Sequence, residues 1–320
     1  MSNPIPVILD VDTGVDDALA ILLAVRHPAL DVRAISCVAG NVDLEQVVTN
    51  TLGLLTLLER EDVPVAAGMR RPMLGVPRDA SYIHGENGVG DIDLPEPGIR
   101  AVDAHAVVLL RDVIMSAEHA ITIIALAPMT NIATLLLMYP EVVPRIERII
   151  FMGGAVGQGN ASASAEFNIW HDPEAADIVL RSGVLLTMYG LEPFYRVACT
   201  AEEINQLRAA SSPVTSTAGA LLSYLAQTTV TESRVQEIGG AAIGDAGAVC
   251  AAILPHSTHT RRAPVAVSLL DPLTRGRTVV DFRTGLGAGG TYTSHAECTV
   301  EVVTGVDANR YIDTFKGALA

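Results

Sequence analysis

The chain is 320 residues long, and 21 basic against 36 acidic side chains give it a formal charge of −15 and a pI near 4.8. That acidity excludes electrostatic docking on DNA, RNA or an anionic membrane, which call for basic patches, and favours a small neutral or metal-bridged ligand. Hydrophobic residues make up 49% and mean hydropathy is +0.36, too apolar for disorder, yet Arg26, Glu59, Arg111 and Glu118 interrupt the apolar runs before the roughly 18–20 uncharged residues of a membrane-spanning helix.

In chain order, residues 6–11 read as a buried strand, 16–27 as a helix, 31–38 as a strand and 44–60 as a helix. Short strands follow at 63–67, 121–125, 149–152 and 184–188, with helices at 104–116, 129–138 and 173–182. This alternation predicts an α/β fold of Rossmann-like type, a mostly parallel sheet with helices on both faces, whose ligands sit beyond the carboxyl ends of the strands. Two stretches break the rhythm, 68–100 and 153–168, and loops of that length inside a compact domain are usually functional. After residue 191 the pattern turns mainly helical to 254, then strand-like at 263–270, 278–282 and 297–303, closing with a helix: an appended helical and β-rich carboxyl region. With no linker-like composition, residues 1–320 read as a single domain. Cys37, Cys199, Cys250 and Cys298 form no CxxC pair, and the opening Met-Ser-Asn-Pro-Ile-Pro lacks the basic segment of a signal peptide, so a reducing cytoplasm is the expected location.

The most informative segment is Ile8-Leu-Asp10-Val-Asp12-Thr-Gly-Val-Asp16-Asp17-Ala, four carboxylates at a strand-to-helix junction. Unpaired, they would repel one another and raise their own pKa values; a hard divalent cation removes the conflict, and carboxylates without His or Cys suit Ca²⁺ or Mg²⁺ rather than zinc. Helix capping alone would account for Asp16 and Asp17 but not for Asp10 and Asp12 at the end of an apolar strand. A haloacid dehalogenase-like phosphatase also places Asp-x-Asp-x-Thr after its first strand, but here Gly14 stands where that motif wants its hydroxyl.

The segment resembles the opening of the inosine-uridine preferring nucleoside hydrolases, Asp-x-Asp-x-Gly-x-Asp-Asp-Ala. Further matches follow in order: Val38-Ala-Gly-Asn41, Ile83-His84-Gly-Glu-Asn-Gly88, Ala127-Pro-Met-Thr-Asn131-Ile-Ala133, Met152-Gly-Gly154, Gly159-Asn160, Glu166-Phe-Asn168-Ile and Asp172-Pro-Glu-Ala-Ala176. The resemblance implies Ca²⁺ held by Asp12, Asp17, the backbone carbonyl of Leu126 and Asp245. A water on the ion would lose its proton to Asp12 as it attacks the anomeric carbon of a ribonucleoside. Asp16 would hold a ribose hydroxyl, Asn41 would position water and sugar, and Asn160, Glu166 and Asn168 would grip the remaining hydroxyls, with Asp10 supporting the metal ligands from behind. A homodimer or homotetramer is implied as well.

The sequence departs from that pattern in one place. Many relatives carry a histidine immediately before the late metal-binding aspartate, credited with protonating the departing base; here Gly244 occupies that position, which leaves a nucleoside- or sugar-binding protein without catalysis as an alternative. His84, on a glycine-flanked loop, is the remaining candidate acid, or else only anchors that loop. The stretch that would face the base holds Thr228, Glu232, Arg234, Gln236 and Glu237, either a polar pocket or a solvated helix face. Trp170 reads as core packing, His171 and Asp172 as a helix start, and His256 and His259 as surface residues of a polar loop.

Overall fold

Apolar residues at 7, 8, 9 and 11 fill the first strand, β1 (Ile5–Val11), in the computed structural model, which describes residues 3–229, 239–283 and 299–320. Val7, Leu9 and Val11 join one hydrophobic cluster and Ile8 another, so the two-residue period of the strand feeds cores on both faces. The other strands are β2 (Leu30–Cys37), β3 (Val65–Ala67), β4 (Ile121–Ala125), β5 (Ile146–Met152), β6 (Leu186–Tyr189), β7 (Ala198–Thr200), β8 (Gly240–Ala242), β9 (Thr258–Val267), β10 (Thr278–Val280) and β11 (Thr299–Val306). Nine of them form one sheet in the order β10-β9-β11-β6-β5-β4-β1-β2-β3, parallel from β11 through β3 and antiparallel where β9 meets β10 and β11. The carboxyl-terminal strands thus extend the main sheet, joined to it by β11 against β6.

The helices are α1 (Val15–Arg26), α2 (Leu44–Leu57), α3 (Ser81–His84), α4 (Ala106–Ser116), α5 (Thr130–Met138), α6 (Phe167–His171), α7 (Pro173–Leu180), α8 (Leu191–Phe194), α9 (Ala201–Arg208), α10 (Pro213–Thr228), α11 (Ala246–Ile253) and α12 (Ala308–Leu319). Residues of α1, α2, α10, α11 and α12 pack into one cluster and those of α4, α5 and α7 into the other. No helix among the described residues is long and apolar enough to cross a membrane.

Two features depart from the sequence reading. Strand β9 begins at Thr258 rather than at residue 263, so His259 lies on a strand, although it and His256 are exposed as expected. The polar run Thr-His-Thr-Arg-Arg hid those residues: among the described residues β10 pairs only Val265–Val267, and the first half of β9 has one partner, β11. The largely helical stretch after residue 191 contains β7 and β8, three residues each, which pair antiparallel; segments that short carry no periodicity to read.

Candidate active site

Asp10 and Asp12 leave the end of β1 and Asp16 and Asp17 open α1, with Asp10, Asp12 and Asp17 fully enclosed. Asp17 does cap the helix, its Oδ2 accepting from the Gly14 amide at 2.9 Å and its Oδ1 from the Asp12 amide at 3.3 Å. Capping does not dispose of the rest of the charge. Oxygens of Asp16, Asp17 and Asp245 lie within 4.8 Å of one another, Asp245 arriving from the residue before α11. Asp16 thus belongs to the same acidic group and also borders the cavity described below.

Burial pushes the Asp12 carboxyl well above the usual carboxylate range, and Asp17 and then Asp16 push it further, against the pull of the Asn41 amide. Burial followed by Asp16, Asp17 and Asp12 does the same to Asp245, and burial followed by Asp16 to Asp17. Among the described residues, Asp12 Oδ1, Asp16 Oδ1 and Asp245 Oδ1 are enclosed without a hydrogen-bond partner. Asp16 and Asp245 both belong to the trio above, and unpartnered anionic oxygens in such a group fit a hard divalent cation. Burial also lifts Asp10, to about 7, while its Oδ1 accepts from Ser36 Oγ at 2.5 Å and Asn131 Nδ2 at 2.9 Å; it buttresses the cluster from the α5 side.

Asn41 ties two of these acids together. Its backbone amide donates to Asp12 Oδ2 at 2.8 Å and its side-chain Nδ2 to Asp17 Oδ2 at 3.1 Å. The close approach requires Gly40, since a Cβ there would lie 2.0 Å from Asp12 Oδ2. The Leu126 carbonyl, at the end of β4, accepts from Asn168 Nδ2 at 2.7 Å, and Asn168 also donates to Met152 O at 3.2 Å. Glu166 is buried at the start of α6, where its carboxylate accepts from the Gly154, Asn168 and Ile169 amides; burial raises its pKa despite those bonds.

These groups line one cavity of about 250 Å³ over the carboxyl ends of the parallel strands. Asp16, Asn41, His84, Leu126, Asn160, Glu166, Asn168 and Asp245 all border it, so the residues singled out in the sequence converge. The fully enclosed Asp12 and Asp17 lie beneath its wall. Apolar and aromatic side chains line the same cavity: Tyr82, Ile83, Phe167, Phe194, Tyr195 and Leu225. Of these, Tyr82, Phe194, Tyr195 and Leu225 were not anticipated; Tyr82 comes from α3, and Phe194 and Tyr195 from the end of α8. Thr228 turns its hydroxyl to the Tyr224 carbonyl, while Glu232, Arg234, Gln236 and Glu237, like Cys298, lie outside the described residues.

His84 ends α3 as a buried ring whose Nδ1 accepts from the Val15 amide at 3.1 Å and lies 3.8 Å from Asp16 Oδ1. Burial lowers its pKa, with Asp16 opposing, and the amide donor fixes a neutral tautomer with its proton on Nε2. That bond anchors the ring to the start of α1. Gly244 has φ +56°, and a Cβ there would lie 2.5 Å from Asp16 Cβ, so the acidic centre itself forbids a side chain at this position. Trp170 packs under the Arg78 guanidinium, 3.7 Å from its ring centroid, and Asp172 caps α7 by accepting from the Ala175 amide.

The inosine-uridine preferring nucleoside hydrolase profile matches residues 7–313. The chain belongs to this family. Pyrimidine-specific ribonucleoside hydrolase RihA of Escherichia coli O127:H6 is 38% identical over 278 residues, covering 87% of this chain and 89% of that protein. Among solved structures, a plant nucleoside hydrolase, PpNRh1, superposes with a TM-score of 0.91 at 30% identity over 99% of both chains. A purine-preferring ribonucleoside hydrolase from Gardnerella vaginalis gives 0.87 at 33% identity over 98% of both. Relatives named for opposite base preferences thus share this nucleoside hydrolase's architecture, and the chain is a hydrolase of the glycosidase type.

Proposed function

We propose that the protein is a Ca²⁺-dependent nucleoside hydrolase that splits the N-glycosidic bond of a ribonucleoside, giving ribose and free base. The observation that carries the reading is the set of orphaned carboxylate oxygens beside a cavity that also presents Asn160, Glu166 and Asn168. Asp12, Asp17, Asp245 and the Leu126 carbonyl would hold the ion, with Asp16 at its edge. Once bound, it would polarise the attacking water and grip the two cis-hydroxyls of ribose.

Asp12 is suited to be the general base: the Asn41 amide fixes one carboxylate oxygen and leaves the other to take a proton. Asp16 and Glu166 place negative charge beside a sugar ring that gains oxocarbenium character as the bond lengthens. Asn160, Glu166 and Asn168 hold the hydroxyl left over, the 5′. His84 contacts substrate as a neutral donor through Nε2, since an Nδ1 already accepting the Val15 amide disfavours the imidazolium. Position 244 supplies no acid to the departing base. One domain, in the cytoplasm and assembled as a homodimer or homotetramer, completes the reading; buried thiols at Cys37, Cys199 and Cys250 and exposed Leu74, Val76, Leu270 and Leu273 support the last two elements.

Incubation with uridine, cytidine, inosine and adenosine, assayed for reducing sugar and free base, tests this. Equimolar ribose and base are expected from at least one nucleoside. Binding without release from any of them would identify a non-catalytic nucleoside-binding protein instead.

A further inference from the structure

Glu192, in the first turn of α8, looks in the sequence like an ordinary acidic residue at a helix start. Its carboxylate instead reaches across to the loop that follows β5: Oε1 accepts from the Val156 and Gly157 amides, both at 2.9 Å. Nearer the strands the two loops are already tied, the Leu191 amide donating to the Gly154 carbonyl at 3.0 Å and the Gly153 amide to Tyr189 O at 3.2 Å. Thr278 Oγ1 holds the next residue from the other side, accepting from the Ala155 amide and donating to its carbonyl. Beyond Gly157 the chain passes to Asn160, whose Oδ1 accepts from the Phe167 amide at 2.9 Å and which borders the cavity with Ala161. Phe194, two residues after Glu192, borders the same cavity with Tyr195, the two rings packed edge-on at 5.0 Å. One short helix therefore supplies a wall of the cavity and a clamp on the loop that carries Asn160.

We propose that Glu192 is a positioning residue for substrate: by holding the Val156 and Gly157 amides it fixes the loop that brings Asn160 to the sugar. The inference rests on the reading above, in which Asn160 holds the 5′ hydroxyl. An anionic acceptor shared by two successive amides is stronger than a neutral one, and it sits where the loop turns away from the sheet. Loss of the clamp therefore acts on binding of the sugar's 5′ end rather than on the chemical step beside Asp12.

The test uses the full chain with Glu192→Ala and Glu192→Gln, and kinetics on a ribonucleoside that the wild type hydrolyses and on its 5′-deoxy analogue. Glu192→Ala is expected to raise KM for the ribonucleoside about 10-fold while kcat changes less than about 3-fold, because ordered hydrogen bonds to a charged group are lost at a distance from the reacting atoms. For the 5′-deoxy analogue the KM change should stay within about 2-fold, and Glu192→Gln, whose Oε1 can accept the same two amides, should recover most of the loss. Equal losses on both substrates, or no change on either, would overturn the proposal. Wild-type protein that hydrolyses no ribonucleoside would sink the functional reading instead; the clamp is then judged by amide hydrogen exchange at Val156 and Gly157, which must speed up in Glu192→Ala or the clamp is wrong.

Discussion

At the acidic end of the cavity, Asp10, Asp12, Asp16 and Asp17 come from one junction, β1 to α1, and Asp245 joins them from the start of α11. Of the aromatic and apolar lining, Tyr82 comes from α3, Phe194 from α8, Tyr195 from the residue after it and Leu225 from α10. The acidic end is enclosed and held by backbone amides and Asn41, with more negative charge than the surrounding protein neutralises. The aromatic end is open enough to leave Tyr82 70% exposed. On the proposed function, the carboxylates would serve the metal and the sugar, and the choice of base would fall to the aromatic side chains. Family members named for purines and for pyrimidines are what such a division would allow.

The largest effects are expected at the acidic end. Asp12→Ala should lower kcat by about 10²–10⁴-fold, the worth of a positioned general base, and Asp17→Ala should abolish calcium binding measured by calorimetry. A smaller loss is expected from Gly244→Ala, which forces a Cβ against Asp16 at a left-handed backbone position. We expect it to cut kcat/KM by about 10–10²-fold through displacement of Asp16, with a lower melting temperature as a second readout. Gly244→His should likewise lose activity rather than gain an acid, and a gain would break the contrast between a fixed acidic end and an adaptable aromatic one.

The pH dependence follows from the same charges. Burial lifts Asp10 from its ordinary 3.8 to about 7, and Asp12, Asp17 and Asp245 are raised as well. A carboxyl whose pKa is higher in the folded state holds more protons there than in the unfolded chain, so these groups make the metal-free protein less stable as pH rises from about 4 to about 7. Calcium binding must displace those protons. Calorimetry in buffers of different ionisation enthalpy should therefore show proton release near pH 6, and the rise in melting temperature on adding calcium should be larger at pH 7.5 than at pH 5. The smallest effects belong to the aromatic end: Phe194→Leu or Tyr82→Ala should change kcat/KM by about 2–10-fold, unequally for purine and pyrimidine nucleosides. An equal change for all bases would place those rings outside base recognition.

The same division explains what the sequence disclosed. The acidic end was legible because β1 and α1 are near-continuous apolar runs and the aspartates interrupt them at their junction. The parallel strands were legible for the same reason, most of them to within two or three residues. The aromatic end was not, because α3 and α8 have four residues each and their neighbours in space are far away in sequence. Glu192 escaped notice since a glutamate in a first helical turn needs no further explanation. His84 stood out through its motif, but only the Val15 amide facing Nδ1 shows that the ring is neutral and anchored.

On the proposed function, the buried aspartates are one half of a site completed by a divalent cation. Ribose release from the best nucleoside substrate, measured on protein stripped with chelator and then titrated with calcium, tests it most directly. Activity should fall to background in the stripped protein and return in step with about one equivalent of bound calcium, as expected for a single site. Undiminished turnover in the stripped protein would contradict it.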